Sequence, residues 1–194
     1  MGERRERTRQ RVLDGAAAAF AKAGYAATSM DDIAAAAGVS RLLLYRDFAG
    51  KQELYHAVLQ RTMDRIGDSV LAAATGVGGS VRMLFSSARA DPDGFLLLLW
   101  YAPREPSFAG LVSAFTASTE QTAEEILTEI EPDPVLRRWV ARVGVRQIFE
   151  MITLWLQVGD HDHDEEALKR IIAAARATSA FPAGRGAPIQ GQTR

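Results

Sequence analysis

Cysteine is absent from the 194-residue chain, and histidine occurs three times, as His56, His161 and His163. Without thiols there can be no disulfide framework, thiolate zinc site or cysteine nucleophile, and nothing argues for an oxidising compartment. Long apolar runs are missing too. The longest, Phe95 to Ala102, falls far short of the roughly 20 residues that a membrane span needs. Met1 to Arg5 is charged, and no apolar stretch comes after it that could serve as a signal peptide. The expectation is a cytoplasmic protein with no membrane partner. Alternating β-branched runs bounded by turn dipeptides are scarce, which removes the usual mark of strands. No internal repeat, phosphate loop, Ser/His/Asp set or helical pair of metal ligands stands out, so no catalytic residues, cofactor or metal are expected. An all-helical enzyme is accordingly the least favoured of the functional classes.

What is present is a composition 47% hydrophobic and 24% charged, able to bury a core. The net charge of −1 is unpromising for a nucleic-acid binder. Its distribution is more informative: residues 1–60 hold nine Lys/Arg against seven Asp/Glu, and the remainder holds fourteen against seventeen. A small domain that lays one helix in a groove needs a basic edge rather than a basic whole.

Helical periodicity dominates. A first helix is expected from Arg5 to Lys22, with Val12, Leu13, Ala16 and Phe20 on one side and Gly24 as its stop. Thr28 and Ser29 can cap a short second helix that turns Ile33, Ala34 and Ala37 inward. Gly38-Val39 forms a tight turn, Ser40 caps a third short helix from Arg41 to Asp47, and Lys51 opens a long fourth. Thr75 to Ser80 reads as a flexible break, followed by helices near 80–90, 94–102, 106–130, 133–158 and 163–179. From Pro182 the apolar pattern gives way to Gly, Pro, Gln and Arg, which predicts a disordered tail over 182–194. The fold class is all-α with about nine helices: a three-helix unit over 1–50 and a larger helical unit over 51–181.

The segment from Thr28 to Leu54 carries the functional signal. Ala34, Gly38 and Leu44 have the spacing of a helix-turn-helix: a small residue at the crossing, a residue tolerant of positive φ in the turn, and an apolar anchor in the second helix. The opposite face of that helix, with Arg41, Tyr45 and Arg46, is left free for a major groove. Hydroxyls at the start of a helix, as at Thr28 and Ser29, attract phosphate, and Lys51 can neutralise another backbone charge. An Ala-x3-Gly pattern in an Ala-rich chain also fits an ordinary helix pair, so a helical binding or scaffold protein without DNA contact is the competing class.

Thr28-Ser29-Met30-Asp31-Asp32-Ile33-Ala34-Ala35-Ala36-Ala37-Gly38-Val39-Ser40 resembles the second helix and turn of TetR-family regulators, and Leu44-Tyr45-Arg46-Asp47-Phe48-Ala49-Gly50-Lys51-Gln52-Glu53-Leu54 resembles the rest of their DNA-binding domain. Val12 to Phe20 with Gly24-Tyr25 is similar to their first helix. The resemblance covers residues 5–60. It implies a ligand-responsive repressor that binds a palindromic double-stranded DNA operator as a homodimer. It further implies that Thr28, Ser29, Tyr45 and Lys51 hold phosphates, with Ser40 beside them, and that Arg41, Leu43 and Arg46 face bases. Leu42 and Leu43 stand where the family often has a small residue and a Thr or Ser, and Asp47 replaces a commoner His, Tyr or Asn. Leu43 is the expected contact for a thymine methyl.

Large apolar residues fill the later helices. Most are core. A cavity between helices would take a small hydrophobic effector, with Phe85, Trp100, Phe115, Thr119, Trp139, Gln147 and Met151 as candidate lining. Dimerisation is expected on the last two helices, through Gly144, Ile148, Ile152 and Trp155, and through the stripe Leu168, Ile171, Ile172 and Ala175. His161-Asp162-His163-Asp164 has the residue types of a metal site, but its place between helices favours a loop in which Asp162 or Asp164 acts as a cap.

Overall fold

The computed structural model describes residues 2–72 and 76–179, and these residues are all helix, turn and loop, with no strand among them. The predicted tail and Thr75 lie outside the described residues. Among the described residues nine α-helices run in the order α1 Gly2–Ala27, α2 Met30–Ala37, α3 Arg41–Asp47, α4 Lys51–Ala72, α5 Gly76–Ala90, α6 Pro92–Leu96, α7 Pro106–Ile126, α8 Pro134–Val158 and α9 Asp164–Ser179. Among the described residues no helix is long and apolar enough to cross a membrane.

α1 buries Val12, Leu13, Ala16, Ala17 and Phe20 on one stripe. Gly24 breaks its helical path with φ 80° and ψ 163°, a conformation that glycine adopts without Cβ strain. Ser29 caps α2 through a reciprocal box: its hydroxyl accepts from the Asp32 amide, and the Asp32 carboxylate accepts from the Ser29 amide. The Ser29 hydroxyl, 2.6 Å away, and the Ser29 amide both donate to the Asp32 carboxylate and hold its carboxyl below the ordinary carboxylate range. Gly38 ends α2 in the left-handed region, φ 62° and ψ 40°. Ser40 caps α3 through the Leu43 amide, and Leu44, fully buried, anchors α3 to the core.

One continuous core joins both halves of the chain, running from Val12 through Tyr55 and Phe95 to Ala175. At its centre Phe20 and Tyr25 of α1 meet Tyr55 of α4 and Phe108 of α7, with ring centroids 4.4–6.0 Å apart. Burial pushes the Tyr55 phenol above its ordinary pKa.

Three local expectations are corrected. Gly76 to Ser80 is helical rather than a break, and the buried Val81, with Val77 packed against the core, anchors this segment. The helix expected near 94–102 is α6, followed by a π turn at Leu97–Tyr101 and a 3-10 turn at Ala102–Arg104; Pro103, which lacks an amide proton, sits where the regular ladder fails. Asp160, rather than Asp162 or Asp164, caps the turn at His161–His163. Its carboxylate lies 2.6 Å from His163 Nδ1, which lowers its own pKa and raises that of His163. No group of three or more metal-ligand residues comes together among the described residues.

Candidate nucleic-acid interface and effector cavity

α3 projects from the three-helix unit with one face inward and the rest outward. Leu44 points into the core, whereas Leu42 is 82% exposed and Tyr45 45% exposed. Arg41 and Arg46 are also outward. The Arg41 guanidinium lies 3.0 Å from Asp31 and 5.4 Å above the Tyr45 ring. Arg46 grips Asp47 through two hydrogen bonds of 3.0 Å, and these hold the Asp47 carboxyl below its ordinary range.

Several expected contacts take other partners. Leu43, expected to face bases, is half-buried and packed against the core; the outermost leucine is its neighbour, Leu42. Thr28 is buried, and its hydroxyl donates to the Gly24 carbonyl at 2.7 Å, so it ties down the end of α1 instead of facing a phosphate. Lys51 donates to the Tyr25 and Ala26 carbonyls at 2.7 and 3.1 Å and covers the Tyr25 ring. Its charge serves the carbonyl end of α1, where a cation is favoured. Ser29 and Ser40 stay exposed, with their hydroxyls engaged in capping α2 and α3.

Sequence reasoning misses the start of α1. Arg4, Arg5, Arg7, Arg9 and Arg11 are all exposed. Arg5 reaches within 3.5 Å of Asp47 at the end of α3, and Arg9 lies over Phe48. The available signal is the run of five arginines between residues 4 and 11.

In the larger unit, an apolar cavity of about 90 Å³ lies between α5, α7, α8 and α9, walled by Leu84, Ala123, Leu127, Val145 and Phe149. An ordinary ligand pocket spans roughly 300 Å³ or more, so the cavity is small as it stands. Of the candidate lining residues, Thr119 faces it. Phe115 stacks behind on Phe149 at 6.3 Å. Phe85 is buried in the core and Met151 packs against it. Trp100 carries the Arg104 guanidinium on its ring. Gln147 accepts from the Thr178 hydroxyl at 2.8 Å. Trp139 is turned away altogether, 60% exposed.

The dimer candidates are rearranged as well. Gly144, Ile148 and Ala175 line the cavity. Ile152, Leu168, Ile171 and Ile172 are buried inside the chain's own bundle, because the α9 stripe packs on α5 and α8. Trp155 is half-buried and donates its indole N–H to Asp164 at 2.8 Å. The apolar surface that remains outward on α8 is Val135, Leu136, Trp139, Leu154 and Val158.

A buried ionic junction ties the two halves together. Arg61 of α4 reaches Asp14 of α1 at 2.6 Å and Asp91 at 3.1 Å, and Arg65 reaches the same Asp91 oxygen at 2.7 Å. Asp91 is also the cap of α6, accepting from the Gly94 amide. One turn on, Phe95 meets Phe149, a cavity wall residue, edge to face at 6.4 Å. Contact is therefore continuous from cavity to α6, then to α4 and α1.

The family model "Bacterial regulatory proteins, tetR family" matches residues 12–58, which carries it into α4. The HTH-type transcriptional activator FasR of Mycolicibacterium smegmatis is 32% identical over 148 residues, 72% of this chain; the chain spans 66% of FasR's length. A TetR-like regulator from Rhodococcus sp. RHA1 has a similar structure, with TM-score 0.73, 20% identity, and 90% of this chain and 96% of that chain covered. AibR, solved with isovaleryl coenzyme A and operator DNA, has TM-score 0.65, 20% identity, and coverage of 87% and 97%.

Proposed function

The chain belongs to the TetR family of bacterial regulatory proteins, and from that premise we propose that it is a ligand-released transcriptional repressor acting in the cytoplasm as a homodimer on an inverted-repeat operator. The observation that carries this reading is α3, braced by buried Leu44 and turned outward along Arg41, Leu42, Tyr45 and Arg46. Residues 1–50 form the reading unit and 51–181 the sensing and pairing unit, with α4 as the link. Dimerisation uses the outward face of α8, where Trp139 and Val158 would otherwise leave apolar surface in water. Two-fold symmetry then sets two copies of α3 about 34–36 Å apart, one helical turn of DNA.

The effector is small and hydrophobic, because the cavity wall offers almost no polar partner. An effector that outgrows this small cavity fits only where the surrounding helices part. It therefore prefers a widened state, and only such a difference in affinity can shift the population. Phe149 would carry Phe95 and α6 outward, and Asp91 would draw Arg61 and Arg65 of α4 with it. The reading heads would then leave operator spacing. The isovaleryl coenzyme A found with AibR makes acyl compounds the first probes.

Tyr45→Ala is expected to weaken binding to operator selected from random DNA by about a hundredfold, the scale of one lost hydrogen bond to a charged group in each half-site. The melting temperature should stay unchanged, since Tyr45 lies outside the core. The same fluorescence titration with medium-chain fatty acids and their uncharged esters should release DNA from the wild type. Unchanged affinity in the variant would sink the placement of α3. Release only by strongly charged compounds, coenzyme A thioesters included, would sink the effector class.

A further inference from the structure

We propose that Leu42 is a specificity-determining residue of α3 and that it reads the 5-methyl group of thymine. This assignment rests on operator binding by α3 as already proposed. At 3.6 residues per turn, Leu42 lies about 200° around α3 from the buried Leu44, and its 82% exposure places it at the crest of the helix. A leucine there adds nothing to the core, and its side chain has only apolar contact to offer. In the major groove the thymine methyl is the one apolar feature on the base edges.

The neighbouring polar groups strengthen the assignment. Arg41 is paired with Asp31 at 3.0 Å and Arg46 with Asp47 at 3.0 Å. To bond a guanine edge, either arginine must first give up its carboxylate partner. Leu42 needs no such exchange. Leu43, the other apolar residue at this level, is packed against the core. The half-site should thus carry a required thymine opposite Leu42, with the methyl rather than the pairing edge being read.

Deoxyuridine isolates that group, because it pairs as thymidine does and lacks only the methyl. Operator is first selected from random DNA with the full-length wild-type protein. Each thymine is then replaced in turn by deoxyuridine, symmetrically in both half-sites, and titrated by fluorescence anisotropy against wild type and Leu42→Ala. One position per half-site should weaken wild-type binding by about fourfold per methyl, roughly fifteenfold for the pair. Leu42→Ala should bind the thymine and deoxyuridine forms equally at that position. Wild-type indifference to every replacement would overturn the assignment to thymine. A variant that keeps the full wild-type preference would overturn the assignment to Leu42, and loss of the preference in Leu43→Ala instead would move it to that neighbour. Failure of any DNA to be enriched would overturn operator binding and this inference together, an outcome distinct from the other three.

Discussion

Asp91→Ala should lower the stability of the protein by about 4 kcal/mol, read as a fall in the urea midpoint, because stranding a buried charge typically costs about 3–5 kcal/mol and a helix cap is lost with it. Arg61 is only 8% exposed, and its guanidinium is shared between Asp91 and Asp14. Asp14 remains as a partner on the solvent side, so the lower part of that range applies. Loss of the α6 cap adds roughly 1 kcal/mol, because the Gly94 amide loses its acceptor. Asp91→Asn separates the two contributions. It can keep an oxygen for Gly94 while removing the charge, and should recover about the cap's share. An unchanged midpoint in Asp91→Ala would show that the junction does not hold α4, α6 and α1 together. The release mechanism would then lose its central link.

Gly15→Ala is expected to cost about 2 kcal/mol, within the range of overpacking, and to weaken operator binding. A Cβ built there would lie 2.5 Å from the Ala37 amide nitrogen, 2.6 Å from its Cα and 2.7 Å from its Cβ. Two of those atoms are backbone in the last turn of α2, immediately before the Gly38 reversal. They cannot give way without displacing the turn that aims α3. Helix propensity opposes this loss, since alanine is favoured over glycine by about 1 kcal/mol inside a helix, but overpacking of this kind costs about 1–3 kcal/mol and is expected to win. Gly67→Ala is the control. Nothing lies within 4 Å of its added Cβ, so the same propensity gain should appear there as a small stabilisation. If both variants gained stability alike, α1 and α2 would not cross at so short a distance.

The parts of this molecule that could be read from the sequence are those set by short-range chemistry. Ser29 with Asp32, the positive φ of Gly38, the Ser40 cap and the inward Leu44 each arise from a few neighbouring residues, and they define the reading unit. The facing of Leu42 and Leu43 is harder. In a helix of seven residues one position is about 100° of rotation, and apolar character alone does not say which leucine packs. The α9 stripe is visible as a stripe, but periodicity names no partner, and α5 and α8 of the same chain claim it. Gly144 suggests close approach between helices; it opens onto a cavity instead. The approach of Gly15 to Ala37 and the Arg61–Asp91 pair join residues 22 and 30 positions apart. Nothing local in the sequence marks them. Lys51 and Thr28 look like phosphate ligands because their residue types fit, whereas the unsatisfied carbonyls at the end of α1 compete for the same donors.

The lack of cysteine gives direct access to the central claim. Ala49, exposed just beyond α3, can be replaced by a unique cysteine and loaded with an iron chelate that cuts nearby DNA. On selected operator, strand scission should fall in two clusters related by a dyad, with centres about 10 base pairs apart, the separation of paired recognition helices on one face of the duplex. Cutting spread evenly along the fragment, or confined to a single cluster, would contradict the placement of two copies of α3 in successive major grooves.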